Sequence, residues 1–197
     1  MPISFSRRSL IASGLAGWAT AGLAAARDYD LTPDHARVAF IFDVTGASQT
    51  GTVPIVQADI RVNTQDLTRS SADVSADVRR AQTGFVFSTQ ALLSRAVLDA
   101  DTHPTVRFRS TRITLGRDSR ISNGARIEGA LTLRGVTRPL TLDATLTRPT
   151  GSAPDDLSVL NIQLTGLLSR SAYGASGYPN MVADAVRLEI SAEIQQR

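Results

Sequence analysis

Apolar and polar residues alternate with a period of two through most of the chain after residue 36, and this constrains the fold more than any other feature. Such a segment predicts a β-strand that is apolar on one face. Eight segments show it: Arg37–Val44, 56–62, 74–79, 106–115, 126–133, 140–146, 160–166 and 186–194. Strands with one apolar face form antiparallel sheets whose other face contacts water.

Two stretches depart from this pattern. In the fourth strand the apolar positions switch from even (Val106, Phe108) to odd (Ile113, Leu115). A β-bulge near Ser110 or Thr111 would let both pairs face the same side, so we predict one there. Between the third and fourth strands, apolar residues recur at helical spacing from Thr89 to Leu98, and Ser88 or Thr89 is a candidate cap. We therefore expect one helix in this long connection, either as a lid over one barrel end or as a plug that covers the core.

Tight turns separate the later strands. Asn123-Gly124 is a two-residue hairpin signal, and Gly135 marks a short link between the fifth and sixth strands. Eight one-faced strands remove their edges by closing into a barrel. The predicted fold is thus all-β: an eight-stranded antiparallel barrel with one helix between strands three and four. Such a barrel is either filled by its own side chains or wide enough for one small ligand.

The direction of the apolar face follows from composition. A barrel of the outer membrane presents its apolar face to lipid and carries aromatic girdles at both interfaces. Only 5% of the residues here are aromatic. The apolar face is therefore predicted to point inward, in a water-soluble barrel.

The first residues have the features of an export signal. Arg7 and Arg8 precede an uncharged apolar stretch, Leu10–Ala26, that ends in Ala24-Ala25-Ala26. This predicts a signal peptide, residues 1–26, cleaved after Ala26, and a single mature domain, residues 27–197. The run Ser6-Arg7-Arg8-Ser9-Leu10-Ile11 resembles the twin-arginine motif, which favours that route over an ordinary signal. The expected location is the periplasm.

Charge and reactive residues exclude several functions. Without the two leader arginines the chain has 19 basic and 18 acidic residues, and such a near-neutral chain does not favour nucleic-acid binding. The absence of cysteine excludes disulfides and thiolate metal sites. His35 and His103 lie on different segments, and no catalytic motif or cofactor motif occurs. We predict a binding protein with no catalytic residue, metal or cofactor.

Five motifs occur in order along residues 29–190. They are Tyr29-Asp30-Leu31-Thr32-Pro33-Asp34-His35 through Phe40; Leu92-Leu93-Ser94 through Asp99 with His103-Pro104 through Thr111; Gly129-Ala130-Leu131-Thr132-Leu133-Arg134-Gly135-Val136-Thr137-Arg138-Pro139; Leu167–Gly174; and Val182–Ile190. Together they resemble the YceI-like family of polyisoprenoid-binding, lipocalin-like proteins. Three positions depart from the family pattern: Ala36 follows His35 where the family has serine, no histidine follows Phe40, and Tyr173 stands where the family has phenylalanine.

The resemblance implies a lipocalin-like barrel that holds a long isoprenoid lipid, a polyprenyl phosphate or a quinone tail, as a periplasmic carrier or buffer. It leaves open a contact with the membrane surface for lipid exchange, and a homodimer. The alternative is a non-carrier barrel with a packed interior, acting in interactions or stress. An enzyme that uses a bound quinone ranks third.

The candidate ligand-binding residues are of two kinds. Apolar lining is expected from Phe40, Phe42, Phe108, Leu131 and Leu133, for which ordinary core packing is the alternative. Polar contacts at the mouth are expected from Arg170, Tyr173 and His35. For Arg170 the choice is between pairing with a phosphate and tying a loop by hydrogen bonds. For His35 it is between a head group and a local hydrogen bond, while Tyr173 replaces a family phenylalanine and adds a hydroxyl.

Overall fold

A computed structural model describes residues 27–31, 35–117, 124–153 and 156–197. The predicted leader and Asn123 of the predicted hairpin lie outside these residues. The described residues form one α-helix, α1 (Val86–Leu93), and eleven strands: β1 (Arg27–Leu31), β2 (Arg37–Val44), β3 (Ala47–Val53), β4 (Ile55–Val62), β5 (Ser71–Asp77), β6 (Gln82–Thr83), β7 (Thr105–Leu115), β8 (Ala125–Leu133), β9 (Val136–Thr147), β10 (Val159–Ser169) and β11 (Val182–Gln196).

The strands follow eight antiparallel paths around a closed barrel. β1 and β2 form the first path, β3 and β4 the second with a break at Pro54, and β5 with the short β6 the third. β7 to β11 supply the other five, each paired with the next. The long β11 pairs with β10 on one side and with both β2 and β1 on the other, which closes the ring. The predicted eight-stranded barrel is confirmed.

Register shifts interrupt three of the described strand pairs: β7–β8, β4–β5 and, between Val182 and Val186, β11–β2. The shift between Ser110 and Arg112 of β7 confirms the bulge predicted from the parity switch. A second shift, between Ile55 and Gln57 of β4, was not expected. The extra residue at this shift changes which side chains point inward. Val56 is therefore 54% exposed, and Ile55 faces the interior instead. The prediction that Val56 shares the inner face with Ala58, Ile60 and Val62 is wrong.

The helix of the long connection lies earlier than the predicted span Thr89–Leu98. α1 begins after Phe85 and has no side-chain cap, so the predicted caps Ser88 and Thr89 are wrong. The Thr89 hydroxyl oxygen instead accepts a hydrogen bond from the Thr83 N–H at 2.9 Å. The helix ends at Leu93, because the extended backbone of Ser94 stops the helical hydrogen bonding.

The β8–β9 hairpin anchors neighbouring loops at one end of the barrel. Arg134 and Gly135 both have positive φ, as a two-residue turn requires. The His103 ring also lies so close to Gly135 that an added Cβ would be 2.9 Å from its Cε1. The Arg134 guanidinium donates to the carbonyl oxygens of Gly174 and, at 2.7 Å, Arg95. The connection after α1 and the loop after β10 are thus held at the same end.

An apolar cluster closes the opposite end. Tyr29, Val62, Leu160 and Ile194 are buried there, and Ile194 is fully inaccessible. The Tyr29 hydroxyl donates to the Leu157 carbonyl at 2.7 Å, so its polar tip is satisfied. We call this cluster and the partly buried residues packed against it the floor of the barrel. Those packed residues are Leu31, Ile60, Leu67, Leu146, Leu157 and Ile162.

The outer wall carries a charge cluster that predicts a pH-dependent stability. Arg107 donates to both carboxylate oxygens of Asp73 at 2.7 and 2.6 Å, and Arg109 adds a third bond at 3.1 Å. These arginines lower the pKa of Asp73 to about 2. A lowered pKa gives stability that is present above the unfolded value of 3.8 and lost as the pH falls towards 2.

We expect Asp73→Asn to lower the free energy of unfolding at pH 7 by about 1 kcal/mol, the upper end for surface pairs. Urea denaturation at several pH values should show this difference shrinking below pH 3.8. Asp143→Asn is the control, because Asp143 is 74% exposed and 3.8 Å from Arg126. A difference for Asp73→Asn that stays constant down to pH 3.8 and below would contradict the assignment.

Candidate functional site: an apolar cavity open at one end

A cavity of about 530 Å³ occupies the barrel between the floor cluster and α1. Its size lies within the range of about 300–1,000 Å³ typical of ligand sites. Strand residues that point inward form its wall, and Leu31, Ile60 and Ile162 of the floor close its base. At the other end it is bordered by α1 and by residues 175–182. The helix borders the cavity and does not fill the barrel.

The lining is almost entirely apolar. Among the described residues that line the cavity, only Ser88, Arg170 and Tyr178 have a polar group in the side chain. All three belong to the helix, or to the chain between β10 and β11, at the mouth. The remaining lining side chains are aliphatic or phenyl groups, together with the thioether of Met181. The arrangement can hold an apolar chain along the barrel with its polar end at the mouth.

Two phenylalanine rings lie over glycines in the barrel wall. A Cβ added to Gly51 would be 2.1 Å from Cζ of Phe40, and one added to Gly129 would be 2.4 Å from Cζ of Phe108. No side chain other than hydrogen fits under either ring. Since β2 pairs with β3 and β7 with β8, each ring covers the backbone of the neighbouring strand. This packing against the wall leaves space at the centre of the barrel.

The structure brings most of the sequence-predicted site residues to one cavity. Phe40, Phe42, Phe108, Leu131, Leu133 and Arg170 all line it. The rings of Phe40 and Phe42 stack with a centroid distance of 5.9 Å. Leu131 is also part of the buried cluster around Leu142, so it serves both the wall and the core.

Tyr173 lies behind the cavity wall. It is 2% exposed and packs against Leu131, Leu140 and Leu142. Burial raises the pKa of its hydroxyl, which is therefore protonated at neutral pH. It is not among the lining residues, so its hydroxyl is not placed on the cavity surface.

His35 lies on the outside of the barrel. Its Nδ1 is 3.0 Å from Oε1 of Glu193, and its side chain is 59% exposed. The hydrogen bond from His35 lowers the pKa of Glu193. His35 is not among the lining residues either, and its contact is with β11.

Arg170 is buried at the mouth and holds the loop after β10. Its guanidinium donates to four backbone carbonyls: Ala183 at 3.0 Å, Gly177 at 2.8 Å, Val182 at 2.9 Å and Ala175. Of the two sequence-based alternatives, the loop-tying hydrogen bonds are present. All four acceptors are neutral carbonyls. The Asp184 carboxylate is near enough that the Arg170 charge, after hydrogen bonds from Ser169 and Ser171, helps to lower its pKa.

The sequence reasoning missed the residues that form the mouth. Phe87, Ser88 and Leu92 of α1 and Tyr178 and Met181 of the following loop line the cavity. They lie outside the alternating strands, so strand periodicity does not identify them. The run Phe85-Val86-Phe87 was a usable signal, because three consecutive apolar residues outside a strand need a partner or a function.

The described ranges contain neither a metal-binding cluster nor a helix that could span a membrane. No group of three or more histidine, cysteine, aspartate or glutamate residues in them could hold a metal ion. None of the helices found in them is long and apolar enough to cross a membrane.

Fold and cavity together define a lipocalin-like barrel with an internal apolar site. The protein-family model for the YceI-like domain matches residues 29–194 of this chain. The chain therefore belongs to the YceI-like family. No curated protein matches the chain.

Several solved structures share the fold. Burkholderia cenocepacia BcnA superposes with a TM-score of 0.73 at 18% identity, covering 83% of this chain and 99% of BcnA. A polyisoprenoid binding domain from Saccharophagus degradans, implicated in plant cell wall breakdown, has a TM-score of 0.60 at 11% identity, covering 87% and 99%. The Campylobacter jejuni YCEI protein has a TM-score of 0.57 at 16% identity, covering 100% and 93%.

Proposed function

We propose that this protein binds a long isoprenoid lipid, a polyprenyl phosphate or the tail of a quinone, inside its barrel. The observation that carries the proposal is the apolar cavity of about 530 Å³ that is bordered at one end by α1 and the loop after β10. Membership of the YceI-like family supports it. The similarity to a polyisoprenoid binding domain supports it further. No catalytic step is part of the proposal.

The binding energy comes from burial of the chain. Each buried CH₂ group contributes about 0.8 kcal/mol, so several isoprene units together outweigh any single polar contact. Phe40, Phe42, Phe108, Leu131 and Leu133 are proposed to contact the chain, since all five line the cavity. Arg170 is proposed to keep the mouth in shape and to favour an anionic head group there. The proposal gives no ligand contact to Tyr173 or His35.

We further propose that residues 1–26 direct export and are cleaved after Ala26, so that the protein acts as a carrier or buffer in the periplasm. An apolar chain outside the bilayer needs such a carrier, because exposing it to water costs free energy in proportion to its area. A packed barrel with no cargo is the competing function, and the open cavity argues against it.

The test is the lipid content of the exported protein. The full chain is expressed in a Gram-negative host, recovered from the periplasmic fraction and extracted with organic solvent for mass spectrometry. We expect about one isoprenoid lipid per barrel, and an intact mass that corresponds to residues 27–197. An unrelated exported protein carried through the same steps controls for adhering lipid.

The outcomes separate the parts of the proposal. A polyprenyl phosphate in the extract identifies one ligand class, and a quinone the other. An extract without isoprenoid, together with no uptake of either added lipid, would refute the carrier function. An intact mass that still includes the leader would refute the cleavage.

A further inference from the structure

An exposed apolar patch surrounds the mouth of the cavity. Phe85, Val86 and Phe87 are 66%, 73% and 84% exposed, and Tyr178 and Met181 are 47% and 52% exposed. We call these five residues the mouth patch. Exposing three consecutive apolar side chains to water is unfavourable, and such patches in soluble proteins mark interaction sites.

The mouth patch is continuous with the cavity. Phe87, Tyr178 and Met181 are lining residues as well as exposed ones, so apolar surface runs without interruption from outside into the barrel. Two separate chain segments contribute to it, the start of α1 and the loop before β11. The segments are tied together, because Gly177 N–H donates to the Ala96 carbonyl at 2.8 Å. A partner that covers the patch therefore also covers the opening.

The size of the patch distinguishes between two occupants. At about 150–250 Å² per aromatic side chain, the exposed fractions of its three rings amount to roughly 300–500 Å², and Val86 and Met181 each add less than a further ring would. A stable protein interface buries about 800 Å² on each partner, so the patch alone is small for a second copy of this chain. A few protruding aromatic and aliphatic side chains are sufficient to insert into the interfacial region of a bilayer, where Tyr is also favoured.

Charges near the patch do not favour one sign. Arg79, Arg80 and Arg95 flank the segment 81–94 in sequence, with Asp77, Asp99 and Asp101 close by. Arg134 and Arg170 also lie at this end, the latter near the Asp184 carboxylate, so cations and anions are nearly balanced. Attraction to anionic lipid is therefore a minor contribution, and apolar insertion is the main one.

We infer that the mouth patch docks on a lipid bilayer, with Phe85, Val86 and Phe87 inserted, so that an isoprenoid chain passes between bilayer and cavity without crossing water. The identity of the lipid that passes into the cavity rests on the proposed function. Docking itself is a property of the patch and is measured separately from lipid content.

A tryptophan reporter tests insertion directly. Trp18, the single tryptophan of the chain, lies in the predicted leader, so Phe85→Trp in a Trp18→Phe background reports from the patch alone. We expect a blue shift of its fluorescence with phosphatidylcholine vesicles, and quenching by vesicles of brominated phosphatidylcholine. Val56→Trp in the same background is the matched control, since Val56 is exposed on the outer wall. Its fluorescence should not respond.

A second pair of variants tests the contribution to binding. Phe85→Ser with Val86→Ser removes two exposed side chains that do not line the cavity. Val56→Ser with Leu167→Ser removes two exposed apolar side chains from other parts of the barrel. In vesicle flotation the first pair should reduce partitioning about tenfold or more, in proportion to the apolar area lost. The second pair should leave it within about twofold, as is usual for surface sites away from an interface.

The outcomes are distinct. A reporter that responds at Phe85 but not at Val56, with loss of flotation only in the first pair, supports docking. A silent Phe85 reporter overturns it, even if the protein carries isoprenoid. Vesicle-independent dimers that disappear in the first pair would also overturn it, because the patch then binds a second copy. A protein that docks yet neither contains nor takes up isoprenoid would refute the proposed function and leave the docking surface standing.

Discussion

Arg170→Ala is expected to lower the free energy of unfolding by about 3 kcal/mol and to loosen the loop between β10 and β11. Arg170 is 8% exposed, and its guanidinium donates to four carbonyl oxygens. Hydrogen bonds from a charged donor contribute about 1.5–3 kcal/mol each, and acceptors left unsatisfied in a buried site cost more than that net value suggests. Water that enters the site recovers part of the loss, so the sum is well below four full bonds.

Urea denaturation measures the stability change, and hydrogen exchange of residues 174–183 locates it. Arg187→Ala is the control: Arg187 is exposed on β11, and its loss should change stability by no more than about 0.5 kcal/mol. Arg170→Lys keeps the charge but not the planar fork, and should recover less than half of the loss. This role would be contradicted if the Arg170→Ala protein were as stable as the wild type. It would also be contradicted if the Arg170→Lys protein were as stable as the wild type.

Ala76→Phe is expected to abolish lipid loading while leaving the barrel folded. Ala76 lines the cavity between Ile55 and Val106, so an added ring points into the space proposed for the lipid chain. A ring placed in an existing cavity has room and gains apolar burial. The unfolding free energy of the lipid-free protein should therefore fall by less than about 1 kcal/mol, whereas overpacking a filled core costs about 1–3 kcal/mol.

The same variant distinguishes the carrier from a barrel with a packed interior. Lipid content is measured by mass spectrometry, and stability is measured after delipidation because a bound ligand stabilises the folded state. Val56→Phe adds a similar bulk on the outer wall and should affect neither quantity. Unchanged lipid content in Ala76→Phe would show that the chain does not occupy this part of the barrel.

Much of the barrel and its lining could be predicted, because the alternation of apolar and polar residues shows which side of a strand is buried. Phe40, Phe42, Phe108, Leu131 and Leu133 lie on inward faces that the alternation identifies, and all of them line the cavity. The bulge in β7 was also readable, since two apolar pairs of opposite parity, Val106 with Phe108 and Ile113 with Leu115, cannot face one side without an extra residue.

The sequence by itself therefore determined the all-β class, the inward face of most strands and the family motifs, which are local patterns of residue type. Contacts between distant segments decided the rest. Pairing of β4 with β5 places Val56 outside, although Val56, Ala58, Ile60 and Val62 alternate without a break. The placement of glycines under Phe40 and Phe108, and the joining of α1 with the loop before β11 at one mouth, arise only when strands and loops come together in the fold. Local periodicity carries no information on these contacts, because each depends on which strands become neighbours and in which register.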